Sequence, residues 1–149
     1  MKLEILQDGN PILRKKSEQI TEITEQINQL IFDMAETMKE EKGIGLAAPQ
    51  VGKNIRLIIV DTKNGPLALL NPKIISRSFF KDVEEEGCLS VKNVWGKVKR
   101  SKSIKVKALN KRGKEVSFKA QGLFARVIQH EVDHLEGVLF IDKLVKINK

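Results

Sequence analysis

The chain has 149 residues, enough to bury roughly 68–70% of its unfolded surface in one core, so a single domain over 1–149 is expected. Its one cysteine, Cys88, excludes an internal disulfide, while charges scattered through the opening MKLEILQDGNPILRKK and the lack of any long apolar run argue against a secretory signal or a membrane-spanning helix. The formal charge of +8 and the pI near 9.6 favour encounters with polyanions, yet no tyrosine and a single tryptophan leave too few aromatic platforms for a dedicated nucleic-acid module.

In chain order, Ile23, Ile27, Leu30, Ile31, Met34, Ala35 and Met38 recur at helical spacing and predict an amphipathic helix over 24–42, stopped by Gly43. There follows Gly43-Ile44-Gly45-Leu46-Ala47-Ala48-Pro49-Gln50-Val51-Gly52. Its paired glycines suggest a dinucleotide loop, but they follow a helix rather than a strand, and Pro49 interrupts any helix that would hold a pyrophosphate. The segment reads either as a plain turn or as a tight loop whose backbone approaches a ligand, with the Gln50 amide available to a developing oxyanion.

β-type segments are predicted at 55–61, 67–70 (ending at Asn71-Pro72), 73–76, 79–84, 88–98, 104–109 and 115–119, the last two joined by a turn at Asn110-Lys111-Arg112-Gly113. Within 97–101 and 104–108 the basic residues mostly take alternate positions, as on the wet face of half-buried strands. A second helix is predicted over 122–136, closed by Gly137. This order gives an α+β fold, in which an N-terminal amphipathic helix and a second helix pack against largely antiparallel sheets. There is no internal repeat, low-complexity tract or linker.

Both histidines of the chain fall in Gln129-His130-Glu131-Val132-Asp133-His134, four residues apart in the second predicted helix. At about 100° per residue, Leu123, Val127, His130 and His134 form one narrow stripe with Glu131 at its edge. Two core imidazoles satisfied by hydrogen bonds are the bland alternative; two at this spacing around a glutamate favour metal ligation. A catalytic centre typically has three protein ligands and an open position. Only fifteen residues follow His134, and their acids are Glu136, too near on the same helix, and Asp142. The third ligand is therefore sought upstream. Cys88 is the candidate, because thiolate binds Zn²⁺ or Fe²⁺ strongly and Gly87 permits close approach; otherwise it is a small buried hydrophobe.

Together, GIGLAAPQ at 43–50, EGCLS at 86–90 and QHEVDH at 129–134 resemble the three signature motifs of the peptide deformylases, in that family's order and with compatible spacing. The resemblance extends over Asn10-Pro11-Ile12-Leu13-Arg14 and Gly137-Val138-Leu139-Phe140-Ile141-Asp142. It implies sheets surrounding a central helix that carries the two histidines, with Cys88, His130 and His134 binding one divalent metal. Fe²⁺ is the expected ion, and Zn²⁺, Ni²⁺ or Co²⁺ is compatible. Glu131 would be general base and acid, and Gln50 with the backbone N–H of Leu89 would stabilise the oxyanion. Ile44, Gly45 and Gly87 would line the substrate groove, with Leu123 and Val127 near a methionine pocket.

The reaction so implied is hydrolysis of the N-formyl group of formyl-methionine on a newly made polypeptide, releasing formate, in the cytoplasm, or in an organelle matrix after loss of a transit peptide. The expected partners are the formyl-methionyl nascent polypeptide and, transiently, the ribosome, with no membrane and no specific nucleic acid. Many relatives read EGCLSVPGVRG, where this chain has Lys92 for proline and Trp95 for arginine, so Trp95 is a candidate substrate contact of its own kind. The sequence also stops soon after Leu144-Val145-Lys146, without the C-terminal helix some relatives have, so ribosome docking is not carried over. The competing readings are another HExxH-type metallopeptidase and a basic RNA- or ribosome-binding protein with a structural metal. A structural site would need a fourth protein ligand, and three are identified.

Overall fold

The computed structural model describes residues 1–145, so Lys146 and the end of the short tail lie outside the described residues. Helix α1 (Glu25–Glu40) begins where the Thr24 hydroxyl accepts from the Ile27 N–H at 3.2 Å, a side-chain cap that replaces a missing intrahelical bond. Leu30, Met34 and Met38 form its buried stripe. Lys42, not Gly43, takes the left-handed backbone after the helix, at φ 58°. Gly43 has another constraint: a Cβ there would lie 2.9 Å from Leu89 Cδ1.

The loop expected after α1 contains a short strand, β1 (Gly45–Ala47), and a 3₁₀ turn over Ala48–Val51. Three residues of glycine, leucine and alanine have no β signature; pairing with the next strand creates it, with Gly45 opposite Val60 and Ala47 opposite Ile58. That strand, β2 (Leu57–Thr62), reads as a continuous apolar run because both faces are buried. Leu57 and Ile59 pack towards α1, whereas Ile58 and Val60 belong to a second core cluster.

The segments predicted at 67–70 and 73–76 form one strand, β3 (Gly65–Arg77), with register shifts on either side of Lys73-Ile74. Asn71-Pro72 does not end it. Asn71 stands at φ 50°, and its amide accepts from Ile20 N and donates to Ile20 O, both at 2.8 Å, so the irregular residue is tied to the N-terminal segment. The segments predicted at 79–84 and 88–98 are β4 (Lys81–Cys88) and β5 (Val91–Ser101), a hairpin turning at Leu89-Ser90. Cys88 therefore ends one strand instead of opening the next. The acidic run Glu84-Glu85-Glu86 hid this continuation because its β propensity is poor; cross-strand partners supply what propensity lacks.

Strands β6 (Ser103–Leu109) and β7 (Glu115–Gln121) complete an antiparallel sheet ordered β1-β2-β3-β6-β7, and β4-β5 forms a separate two-stranded sheet. Helix α2 (Gly122–Leu135) follows directly, and every residue from Ala125 to Val132 is buried. Ala125, Ile128, Val132 and Leu135 pack on Ile58, Val60, Leu69 and Val106, placing α2 against one sheet face while α1 covers part of the other. No helix among the described residues is long and apolar enough to cross a membrane.

Gln129 fixes α2 to the end of β5. Its Oε1 accepts from Ser101 N at 3.2 Å and its Nε2 donates to Ser101 O at 2.9 Å and to Ala125 O at 3.1 Å. Gln129→Ala leaves the buried Ser101 backbone unpaired and is expected to destabilise by about 1–3 kcal/mol. Urea unfolding measures it; a loss under a few tenths would mean the clamp is dispensable.

Candidate metal centre and active site

Helix α2 projects His130 and His134 from one face, and the tip of the β4-β5 hairpin brings Cys88 to them. One donor atom from each residue lies within 4.8 Å of the others, and Cys88 Sγ is 3.4 Å from His134 Nε2. The His130 and His134 rings sit edge to face with centroids 5.0 Å apart. His130 is oriented by Glu86, whose Oε1 is 2.8 Å from Nδ1. An ionised carboxylate only accepts, so Nδ1 carries the proton and Nε2 is left for a ligand.

Glu86 is the hub of a buried ionic network. Arg100 donates to both of its oxygens, at 2.7 and 2.9 Å, and Arg126 to one, at 2.6 Å. Arg100 continues to Asp133 at 2.7 Å and Arg126 to Asp82 at 2.8 Å. Burial would raise the Glu86 pKa, but its bonds to His130 and Arg100 hold it well below the usual carboxylate range. None of Glu86, Arg100, Arg126, Asp82 or Asp133 was singled out from the sequence as a site residue. Arg126 carried a signal: a full charge inside the apolar run Leu123-Phe124-Ala125-Arg126-Val127-Ile128 must be paired.

Electrostatics at the centre favour a cation. Burial opposes the charged form of His130, yet Cys88, Glu131 and Glu86 together push its pKa up to about 10. Burial and the neighbouring His130 charge drive His134 far the other way, leaving a neutral imidazole. A thiol, a neutral imidazole and a carboxylate-backed imidazole that draws a proton fit a divalent cation of borderline softness. Glu131 is also buried, which pushes its pKa up to about 7 against the pull of His130 and Arg100. Its Oε1 has no hydrogen-bond partner among the described residues.

Gln50 is buried beside this group in the 3₁₀ turn. Its Oε1 accepts from Ala47 N at 2.9 Å, which fixes the amide so that Nε2 faces Ser90 Oγ at 3.0 Å and Cys88 Sγ at 3.6 Å. The N-terminal segment straps both loops: Leu6 N donates to Gln50 O and Asp8 N to Ser90 O, both at 2.7 Å, and Gln7 Nε2 donates to Leu89 O at 3.0 Å.

A cavity of about 340 Å³ opens on Glu131, His130 and Cys88. Val127, Gly45, Gly87 and Leu89 line it, and Ile44, Leu123 and Trp95, respectively 51%, 66% and 69% exposed, stand at its mouth. The structure thus brings together every residue that the sequence and its resemblance singled out. Leu123 lies on the rim, in the first turn of α2, while Val127 is buried. Gly45 is dictated by space, since a Cβ would lie 2.6 Å from Glu131 Oε2 and 2.7 Å from Val127 Cγ1. The Trp95 ring packs against Gly87 so closely that a Cβ would overlap it.

Known proteins share this sequence pattern and fold. A family profile described as Polypeptide deformylase matches residues 2–149. A peptide deformylase of Halothermothrix orenii is 51% identical over 149 residues, covering 99% of this chain and 96% of that protein. The crystal structure of peptide deformylase from Thermotoga maritima superposes with a TM-score of 0.96 at 44% identity, covering 98% of this chain and 99% of that one. That of Synechococcus elongatus, in complex with actinonin, gives 0.93 at 40% identity, covering 97% and 79%. With a match along almost its whole length and a superposable fold, the chain belongs to the peptide deformylase family.

Proposed function

We propose that the chain is one catalytic domain in which Cys88, His130 and His134 hold a single divalent ion and Glu131 moves the protons of deformylation. The reaction is hydrolysis of the N-formyl group from the methionine that starts a newly synthesised polypeptide. The convergence of three donor atoms within 4.8 Å beside a buried, unpartnered carboxyl oxygen carries this reading. Fe²⁺ is the proposed resident ion, with Zn²⁺, Ni²⁺ and Co²⁺ compatible with the same donors. The nascent substrate points to action in the cytoplasm, or an organelle matrix, close to the ribosome.

When bound, the ion supplies Lewis acidity that lowers the pKa of a water towards ~7. Glu131, buried beside His130 and with one carboxyl oxygen unpartnered among the described residues, accepts the proton of the attacking water. The resulting hydroxide forms a bond to the formyl carbon, and the carbonyl oxygen becomes an oxyanion. Gln50 Nε2 and the Leu89 N–H donate to that oxygen, the amide being held in place by Ala47 and Ser90. The C–N bond then breaks, Glu131 returns its proton to the departing amine, and formate leaves. Val127 and Leu123 give the methionine side chain an apolar wall, and the short formyl group reaches a recessed centre that an internal peptide bond would not.

Formate release from a formyl-methionyl peptide tests the activity. Glu131→Ala is expected to retain the metal and lose nearly all turnover, whereas Cys88→Ala should lose both. Metal analysis beside the formate assay separates the two; full occupancy in Cys88→Ala would refute its role as a ligand.

Gln50→Ala is expected to lower kcat more than it raises KM, because the donor matters most once charge develops; the barrier should rise by about 2.7–4 kcal/mol. A pure KM effect would place Gln50 in ground-state binding.

Trp95 offers one N–H and a broad apolar face where a guanidinium would offer five donors. It is expected to favour apolar or very short residues after formyl-methionine, and Trp95→Arg to broaden acceptance. The measure is kcat/KM for formyl-Met-Ala, formyl-Met-Leu and formyl-Met-Ala-Ser. An unchanged order among the three would remove Trp95 from the groove.

A further inference from the structure

Strand alternation alone makes the lysines of β6 and β7 a plain solvated face, but register adds something that alternation does not show. Lys73 of β3 stands directly opposite Lys107 of β6, and Lys105 of β6 directly opposite Lys119 of β7. All four are exposed, and like charges directly opposite one another destabilise a sheet. Only Lys107 has an acidic partner among the described residues, Glu115 at 2.6 Å. The chain does not lack the means to pair charges across strands: in β4-β5 the register sets Asp82 opposite Arg100 and Glu85 opposite Lys97. The lysine rows lie on the side of the sheet that carries α1, beyond the part that α1 covers, since Leu109 on the same face of β6 joins the α1 cluster.

Beyond the lysine rows and the polar Ser103–Gln121 pair stands an aromatic pair, while Arg77, opposite Ile104, takes the α2 side of the sheet. Phe79 and Phe80 are 90% and 71% exposed and pack edge to face at 5.7 Å, with exposed Arg77, Lys81 and Lys102 beside them in the chain or its pairing. None of these three cations has an acidic partner among the described residues.

We propose that this face docks the phosphate backbone of RNA without regard to sequence, with Phe79 and Phe80 offering rings to an unpaired base at its end. Four lysines in two cross-strand rows complement a regular line of phosphates, and an aromatic pair stacks on any base. A bilayer could engage only the Phe79–Phe80 end, because the exposed positions beside the lysines on β6 and β7 are polar, including Ser117 and Gln121, whereas a phosphate backbone would engage the rows as well. The surface does not depend on the catalytic assignments above.

The test uses the full metal-loaded chain, a short fluorescent RNA hairpin with an unpaired arm, and vesicles with and without anionic lipid. Binding to RNA is expected to weaken linearly with salt on logarithmic axes. Lys105→Gln with Lys119→Gln should reduce affinity at least about tenfold and flatten the salt slope by about 1–2. The same charge change placed elsewhere, Lys53→Gln with Lys63→Gln, should cost about twofold or less. Neither pair should alter formate release from a short formyl peptide, and the Lys105/Lys119 pair should melt at or above the parent temperature. Equal weakening by both pairs would reduce the effect to bulk charge and overturn the proposal. Binding to anionic vesicles without RNA binding, no RNA binding at low salt, or a lowered melting temperature in the Lys105/Lys119 pair would overturn it as well.

Discussion

The buried carboxylate of Glu86 holds the two parts of the candidate metal centre in register. The β4-β5 hairpin that carries Cys88 shares no ladder with the five-stranded sheet, and side chains join it to α2. Glu86 lies two residues before Cys88, and its partners on α2 are Arg126, four residues before His130, and His130 itself. Arg100, from β5, then reaches Asp133, the residue before His134. Each of the three candidate ligands is therefore next to, or part of, one ionic network. Removing one partner from such a buried set typically costs about 3–5 kcal/mol, because the charges left behind have no water to turn to. That penalty makes the network a positioning device: a hairpin shifted enough to misplace Cys88 would strand charge in the interior.

Close packing at the centre imposes a second constraint, met by omitting side chains. Gly43 leaves room for Leu89, Gly45 for Glu131 and Val127, and Gly87 for the Trp95 ring. At these positions the glycines are required by the approach of another side chain rather than by a left-handed backbone. The loop bearing Gln50, the catalytic helix and the hairpin tip consequently meet at distances that a Cβ would forbid. Strapping by residues 6–8 then secures the two loops from outside, through bonds to Gln50 O, Leu89 O and Ser90 O.

The histidine-bearing helix was legible in the sequence because core packing alone seldom sets two histidines at i and i+4 around a glutamate, and helical spacing puts both on one face. α1 was equally plain from its apolar stripe. What escaped was set by partners distant in sequence. β1 is a strand only because β2 lies beside it, and the hairpin turn at Leu89-Ser90 fell inside a predicted strand because Glu84-Glu85-Glu86 interrupted the β signal. Arg100 and Arg126 resemble ordinary surface cations until Glu86 is placed between them. The lysine rows illustrate the same limit: alternation fixes which face a residue takes, but only register reveals that Lys105 confronts Lys119.

Hydrogen bonding around the centre separates scaffold from chemistry. Gln129 and Glu86 are buried and fully engaged, as folded interiors require. Glu131 Oε1 and His134 Nδ1 are buried and have no partner among the described residues. An orphaned carboxyl oxygen is costly in a low-dielectric interior, and a structural role would have selected a glutamine or an apolar residue there. Glu131 instead lines a cavity shared with Cys88 and His130. In the proposed reaction that unused hydrogen-bonding capacity serves the reactants, at a cost to the fold. The ionic network around Glu86 and the Gln129 clamp supply the surrounding stability that lets the protein tolerate it.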